Sequence, residues 1–259
     1  MRRCFWKQSN LRTMQALQRG NKARKKERMN MKISLNQRIL SRNEECARKN
    51  KVFFDEYQLF CLNIISSPGA GKTTLLTRTI TDLKGRLSVG VIEGDIKTDT
   101  DARKIRAAGA QAVQIETQGA CHLSAEQVHN ALTLLDVKTL DVIIIENVGN
   151  LVCPSAFDLG EHRRAVVLSI PEGDDKPVKY PGTFTGADVI LINKIDLADY
   201  IPFDLEKVLA DIHMLNPHAA VFQVSAATGQ GMNAWYDWLL AECRKHDGRQ
   251  SESIEKPSR

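Results

Sequence analysis

The sequence predicts an α/β fold, a doubly wound and mainly parallel sheet, on three observations. Seven short apolar runs recur from about Gln58 onward, helical patterns alternate with them, and a glycine-rich loop follows the first run. The runs cover residues 62–65, 89–92, 112–115, 142–145, 165–170, 189–192 and 220–224. They are nearly continuous and mostly β-branched, the signature of strands covered on both faces. Helical periodicity falls at 73–83, 101–107, 124–135, 205–213 and 232–243. Ser124 followed by Gln127 forms a capping box that marks one helix start. Such alternation builds a parallel sheet whose ligands sit at the carboxyl ends of the strands.

The 259 residues suffice for one sizeable α/β core and an appendage, and 42% hydrophobic with 26% charged residues is ordinary for a soluble domain. The net charge of +5 conceals an asymmetry: residues 1–50 hold 15 Lys and Arg against 3 Asp and Glu, leaving 21 against 28 elsewhere. Residues 1–50 therefore read as a basic, flexible arm, locally helical around Leu35 to Cys46. Residues 51–244 form the folded domain and 245–259 a flexible tail. The arm is a solvated tail or a contact for an acidic partner. Nucleic acid is disfavoured, because only Phe5 and Trp6 could stack on bases. No apolar run reaches the roughly 18–20 residues of a membrane span, and a secretory h-region is lacking. A cytoplasmic location is expected. Cysteines at 4, 46, 61, 121, 153 and 243 form no CxxC pair, so reduced thiols are expected.

The loop after the first run reads Ser66-Ser67-Pro68-Gly69-Ala70-Gly71-Lys72-Thr73-Thr74. Its glycines let backbone N–H groups face phosphate oxygens at a helix N-terminus. Lys72 can reach the β- and γ-phosphates, and the Thr73 hydroxyl can ligate Mg²⁺. Ser66 stands where the usual phosphate loop (P-loop) has its first glycine. Asn193-Lys194-Ile195-Asp196 ends the sixth run. A carboxylate at Asp196 can accept from guanine N1–H and N2–H₂, for which adenine has no matching donor pair. Asn193 can bond the base edge, the Lys194 stem can cover the ring, and a backbone N–H at Ser225-Ala226 can meet guanine O6. The two motifs together account for both ends of GTP, on a P-loop NTPase scaffold.

Two strand ends between the motifs are acidic, Glu93-Gly94-Asp95 and Glu146-Asn147-Val148-Gly149. Their carboxylates can hold Mg²⁺ through water or orient the attacking water, and the Gly149 N–H can sense a γ-phosphate. The alternative is that these acids merely cap strand ends. Cys121-His122 precedes the capped helix and Cys153 follows the Glu146 turn. Two thiolates and an imidazole suit Ni²⁺ or Zn²⁺, and proximity to a helix N-terminus would ease deprotonation of Cys121. Inert buried cysteines are the competing reading.

The Glu-Gly-Asp strand end, the GxxCHL segment, ENVGNLVCP, EGDDKP and NKID occur here in that order, across approximately residues 36–242. In this the chain resembles the hydrogenase nickel-incorporation GTPases, a family of hydrogenase maturation factors similar in fold to the dimeric SIMIBI GTPases. The resemblance implies a slow GTPase that delivers nickel to the large subunit of [NiFe]-hydrogenase, with a small zinc-containing nickel chaperone as partner and a GTP-promoted homodimer. It implies Gly69, Gly71, Lys72 and Thr73 for phosphates and Mg²⁺, and Asn193 and Asp196 for guanine. Asp95 would position water, and Cys121, His122 and Cys153 would hold Ni²⁺ or Zn²⁺. Asp101 would make switch contacts and Lys176 would reach the partner subunit's nucleotide. The family's Cys-rich or His-rich N-terminal nickel motifs are absent, since Cys4 stands alone and the first histidine is His122. Alternatives are a urease-type accessory GTPase, and a non-hydrolysing GTP-responsive adaptor with a structural zinc site.

Overall fold

The structure is a computed structural model that describes residues 40–95, 100–117 and 119–247. Expectations for the basic arm before residue 40, for the tail from 248 and for the Asp95 side chain fall outside the described residues. The described residues from Asn43 onward form one compact unit.

Seven strands form one sheet: β1 (Phe60–Ser66), β2 (Val89–Asp95), β3 (Gln111–Glu116), β4 (Val142–Glu146), β5 (Arg163–Ser169), β6 (Val189–Asn193) and β7 (Ala220–Gln223). Their order is β3-β2-β4-β1-β5-β6-β7 and every pairing is parallel. The strand order reverses at central β1, so the crevice outside its carboxyl end is where a ligand fits.

Side chains alternate faces along each strand with the pleat. Leu62 and Ile64 of β1, Ile144 of β4, Val167 of β5 and Leu191 of β6 pack against one face. There they meet Leu75, Leu76 and Ile80 of α2 (Lys72–Asp82) and Trp235 and Leu239 of α8 (Met232–His246). Trp235 Nε1 also donates to the buried Thr79 hydroxyl at 3.0 Å, so the large ring brings its polar atom inside satisfied. The opposite face carries two clusters. Ile143 and Ile145 pack on α4 (Ala125–Leu132), and Ile65, Val166, Leu168, Ile190 and Ile192 pack on α7 (Leu205–Leu215). The capping box holds: Gln127 N–H donates to Ser124 Oγ, and the Ser124 N–H to Gln127 Oε1 at 2.9 Å. Observed helix ends extend further in α7 and α8 than the periodicity suggests. Helix α3 (Thr100–Ala108) lies between β2 and β3 as expected, whereas two short helices, α5 (Lys176–Lys179) and α6 (Pro181–Thr185), were not expected.

The expected boundary between residues 50 and 51 lies inside a helix. Residues 40–56 are helical (α1), and Phe54 and Ala47 are buried in the same cluster as α4. Amide side chains do much of the docking. Asn43 Nδ2 donates to Asp158 O at 2.7 Å, and Asn50 Nδ2 donates to both Ala125 O and Leu159 O. The local helicity expected around Leu35 to Cys46 meets this helix at residues 40–46, but apolar periodicity does not reveal its docking because asparagines occupy its inward face. Phe54 is fully buried, so Phe54→Ala is expected to cost about 3–5 kcal/mol. Denaturant unfolding would measure this; a loss under about 1 kcal/mol would make α1 dispensable.

Candidate nucleotide and metal site

β1 ends at Ser66, and the chain turns through Pro68 to Gly71 before α2 begins at Lys72. Gly71 has φ +93°, and a Cβ there would stand 2.7 Å from Asn193 Nδ2, so both backbone and space demand glycine. Lys72 is buried and its Nζ donates to Ser66 Oγ at 2.8 Å. The serine that replaces the usual first glycine thus holds the lysine, a contact the motif alone does not disclose. Burial pushes the Lys72 ammonium below its ordinary value, against the pull of the Glu146, Glu172, Asp101 and Glu93 carboxylates. The Thr73 hydroxyl lies 2.8 Å from Glu146 Oε1 and 3.2 Å from Asp101 Oδ2. Hydroxyl and carboxylate oxygens together are the hard donor set Mg²⁺ takes. Glu93 and Glu146 are cross-strand neighbours at the ends of β2 and β4, both buried.

A cavity of about 530 Å³ opens here, lined among others by Gly69, Thr74, Glu93, Asp101, Gly149 and Lys194. Gly149 presses on the P-loop: a Cβ would sit 3.1 Å from Pro68 N and Cα. Lys194, in the left-handed region at φ 61°, reaches back so that Nζ donates to Gly69 O at 2.6 Å. Asn193 Nδ2 donates to Ala70 O at 2.9 Å, and its Oδ1 accepts from Ala226 N–H at 3.2 Å. Asn193 therefore ties the P-loop to the loop after β7. The N–H groups expected for guanine O6 are engaged in this state, Ser225 N–H with Gln230 O and Ala226 N–H with Asn193. Asp196 Oδ1 is buried and has no hydrogen-bond partner among the described residues. Lys176 lies elsewhere, at the start of α5, with Nζ 5.7 Å from the Tyr180 ring centroid.

The fold unites Cys121, His122 and Cys153, whose ligand atoms all lie within 4.8 Å of one another. Cys121 Sγ is 3.6 Å from His122 Nδ1, and the imidazole stacks on Phe157. A hydrogen bond with Cys153, then burial, pushes the Cys121 thiol up, the reverse of the effect expected from a nearby helix N-terminus. The helix begins only at Ala125, and the facing sulfur decides instead. Burial lowers His122, which favours the neutral imidazole a metal needs. Soft sulfur with neutral nitrogen, half-buried and clustered, fits Ni²⁺ or Zn²⁺.

A family model for the CobW/HypB/UreG nucleotide-binding domain matches residues 61–223. The hydrogenase maturation factor HypB of Rhizobium leguminosarum bv. viciae is 49% identical over 207 residues, covering 80% of this chain and 69% of that one. The chain belongs to the HypB family. The hydrogenase/urease maturation factor HypB of Helicobacter pylori is 39% identical over 218 residues, 83% of this chain and 89% of its own. A crystal structure of Helicobacter pylori HypB in complex with nickel superposes with a TM-score of 0.75 at 39% identity, covering 79% of this chain and 96% of that one. HypB from Archaeoglobus fulgidus gives 0.74 at 38% identity, covering 79% and 100%. The HypB fold is thus the seven-stranded parallel sheet described above. No helix among the described residues is long and apolar enough to cross a membrane.

A second group, Asp55, His162 and His246, also falls within 4.8 Å. It lies at the amino ends of β1 and β5, far along the sheet from the P-loop. The Cys61 N–H donates to His162 Nδ1 at 3.0 Å, so the ring proton sits on Nε2, which faces Asp55 Oδ1 at 3.0 Å. That imidazole has no lone pair left for a metal. Burial, then the neighbouring His162 ring, lowers His246 below its ordinary 6.5, against Asp55 and Glu242, with Arg163 adding to the lowering. A depressed histidine means the unfolded chain binds the proton first. The stability contributed by neutral His246 is full above pH 6.5 and drains away as pH falls through the lower folded value. His246→Gln is expected to flatten the acid limb of a stability–pH curve below 6.5; an unchanged limb would rule this out.

Proposed function

We propose that this chain hydrolyses GTP to GDP and phosphate and couples that cycle to the capture and release of nickel for the large subunit of [NiFe]-hydrogenase. The observation that carries the reading is that phosphate cavity and metal ligands share one turn. Residues 146–149 line the cavity, Gly149 abuts Pro68, and Cys153 follows four residues later. A group that touches the γ-phosphate therefore moves a metal ligand. The nickel complex of the Helicobacter pylori relative supports nickel as the cargo.

In this scheme the backbone from Gly69 through Thr74 and the Lys72 ammonium hold the phosphates. Thr73, with Asp101 and Glu146 beside it, would hold Mg²⁺, which neutralises phosphate charge when bound. Glu146, and Asp95 from the end of β2, orient the attacking water. Asp196 takes the guanine N1–H and N2–H₂, supported by its partnerless buried oxygen; Asn193 and Lys194 shape the base pocket, and Ser225-Ala226 close it once Asn193 releases the Ala226 N–H. A GTP-promoted homodimer, a small nickel chaperone and a cytoplasmic setting complete the reading.

Multiple-turnover phosphate release with GTP and with ATP tests it. Turnover is expected with GTP alone, slow because no arginine lines the cavity among the described residues. Asp196→Ala removes two charge-assisted hydrogen bonds, about 1.5–3 kcal/mol each, so GTP is expected to bind at least about 10²-fold more weakly. Equal use of ATP, or undiminished GTP affinity in the variant, would overturn the guanine assignment. Absence of any phosphate release would leave a nucleotide-responsive adaptor.

A further inference from the structure

Two asparagines in the turn after β4 each hold one half of the metal site. Asn147 is buried, and its Oδ1 accepts from Leu123 N–H at 3.1 Å and from Val148 N–H at 3.0 Å. Leu123 directly follows Cys121-His122, and its side chain packs over Gly94, where a Cβ would clash at 2.8 Å. The Cys121-His122 segment is thereby pinned at its carboxyl end to the residue next to Glu146. Asn147 is itself fixed, since its N–H donates to Ile64 O at 3.0 Å and its Nδ2 to Asn63 Oδ1 at 3.3 Å. Asn150 serves the other half. Its Oδ1 accepts from Val152 N–H at 2.8 Å and from Cys153 N–H at 3.4 Å. Gly149, the residue against the P-loop, stands between the two.

Resting on the GTP-gated reading above, we propose that Asn147 and Asn150 are the positioning residues that carry nucleotide state to the metal ligands, Asn147 to Cys121-His122 and Asn150 to Cys153. Neither side chain is a ligand of the metal set, and each acts through the backbone N–H groups it holds. When Gly149 shifts against a γ-phosphate, both amide oxygens move with the turn. The two ligand segments, more than 25 residues apart in sequence, then change their spacing together. An isolated movement of Cys153 would alter one ligand; the paired asparagines alter the geometry of all three.

The test is the ratio of nickel dissociation constants with GDP and with a non-hydrolysable GTP analogue, for the wild-type chain, Asn147→Ala, Asn150→Ala and the double variant. Asn150 lies in a partly exposed turn, so its variant reports even if Asn147→Ala fails to fold. Each single variant is expected to bring the ratio at least about threefold closer to one, and the double variant to reach one, because coupling is a free energy the two contacts share. In Asn150→Ala, whose side chain lies outside the cavity lining, affinity for the GTP analogue should stay within about twofold of wild type, which a general loss of structure would not allow. A wild-type ratio unchanged in Asn150→Ala and in any folded Asn147→Ala overturns the assignment to these residues. A wild-type ratio of one overturns the gated reading itself, and the proposal with it.

Discussion

Lys72→Ala is expected to lower GTP turnover by about 10²–10³-fold, the loss typical of one preorganised charge at a developing oxyanion. The geometry argues for the upper part of that range. Lys72 is buried, fixed by Ser66 Oγ, and ringed by Glu146, Glu172, Asp101 and Glu93. Without its ammonium the cavity lining keeps the carboxylates of Glu93, Asp101 and Glu146 against only the Lys104 and Lys194 ammonium groups, which are drawn to Asp101 and Gly69 O. Binding of nucleotide should weaken as well, because the lysine already meets the phosphates in the ground state, and hydrolysis falls further because it meets the charge developed in the transition state more strongly. Single-turnover phosphate release with saturating GTP measures the chemical step, and retained activity would remove the P-loop from catalysis.

Cys153→Ala is expected to weaken nickel binding by more than about 10²-fold, since even residues that only support a ligand commonly account for 10–100-fold. It should also abolish any difference between nucleotide states. Cys121 and His122 would remain close, 3.6 Å apart, but two donors cannot close a soft site. Removing Cys153 also takes away the hydrogen bond that raises the Cys121 thiol, so the remaining sulfur should be alkylated faster at neutral pH. Thiolate-to-nickel absorbance, titrated with GDP and with a GTP analogue, reads the first effect. A nucleotide-dependent affinity that survives the substitution would place the coupling outside the 146–153 turn.

The strands were legible because their signal is local: five of the seven interleave residues for the two faces in runs such as Val142–Glu146 and Val189–Asn193, and parallel strands have no polar face. The capping box at Ser124 was legible for the same reason, both partners being three residues apart. Helix α1 was legible only as local helicity up to Cys46; its docking was not, since that depends on Asn43 and Asn50 meeting carbonyls at Ala125, Asp158 and Leu159. No periodicity encodes a contact at that separation. Likewise Ser66 read as a deviation from a motif until Lys72 was seen to rest on it.

What the sequence by itself determined is which chemistry is available. A glycine-rich loop before a lysine, a carboxylate in Asn193-Lys194-Ile195-Asp196, and two thiols with an imidazole are residue types at short spacings, and residue types do not depend on the fold. Only the tertiary structure decided how these parts act on one another. It brought Cys153 to Cys121-His122, placed Gly149 on Pro68, and gave the amides of Asn147 and Asn150 to the metal segments. Apart from the local Asn150–Cys153 contact, they join segments distant in the chain that follow β4 and its neighbour β1, or β4 and β3 on the far side of β2. Pairing of β1 with β4 and of β4 with β2 sets them, through the summed burial of the whole core rather than any local preference.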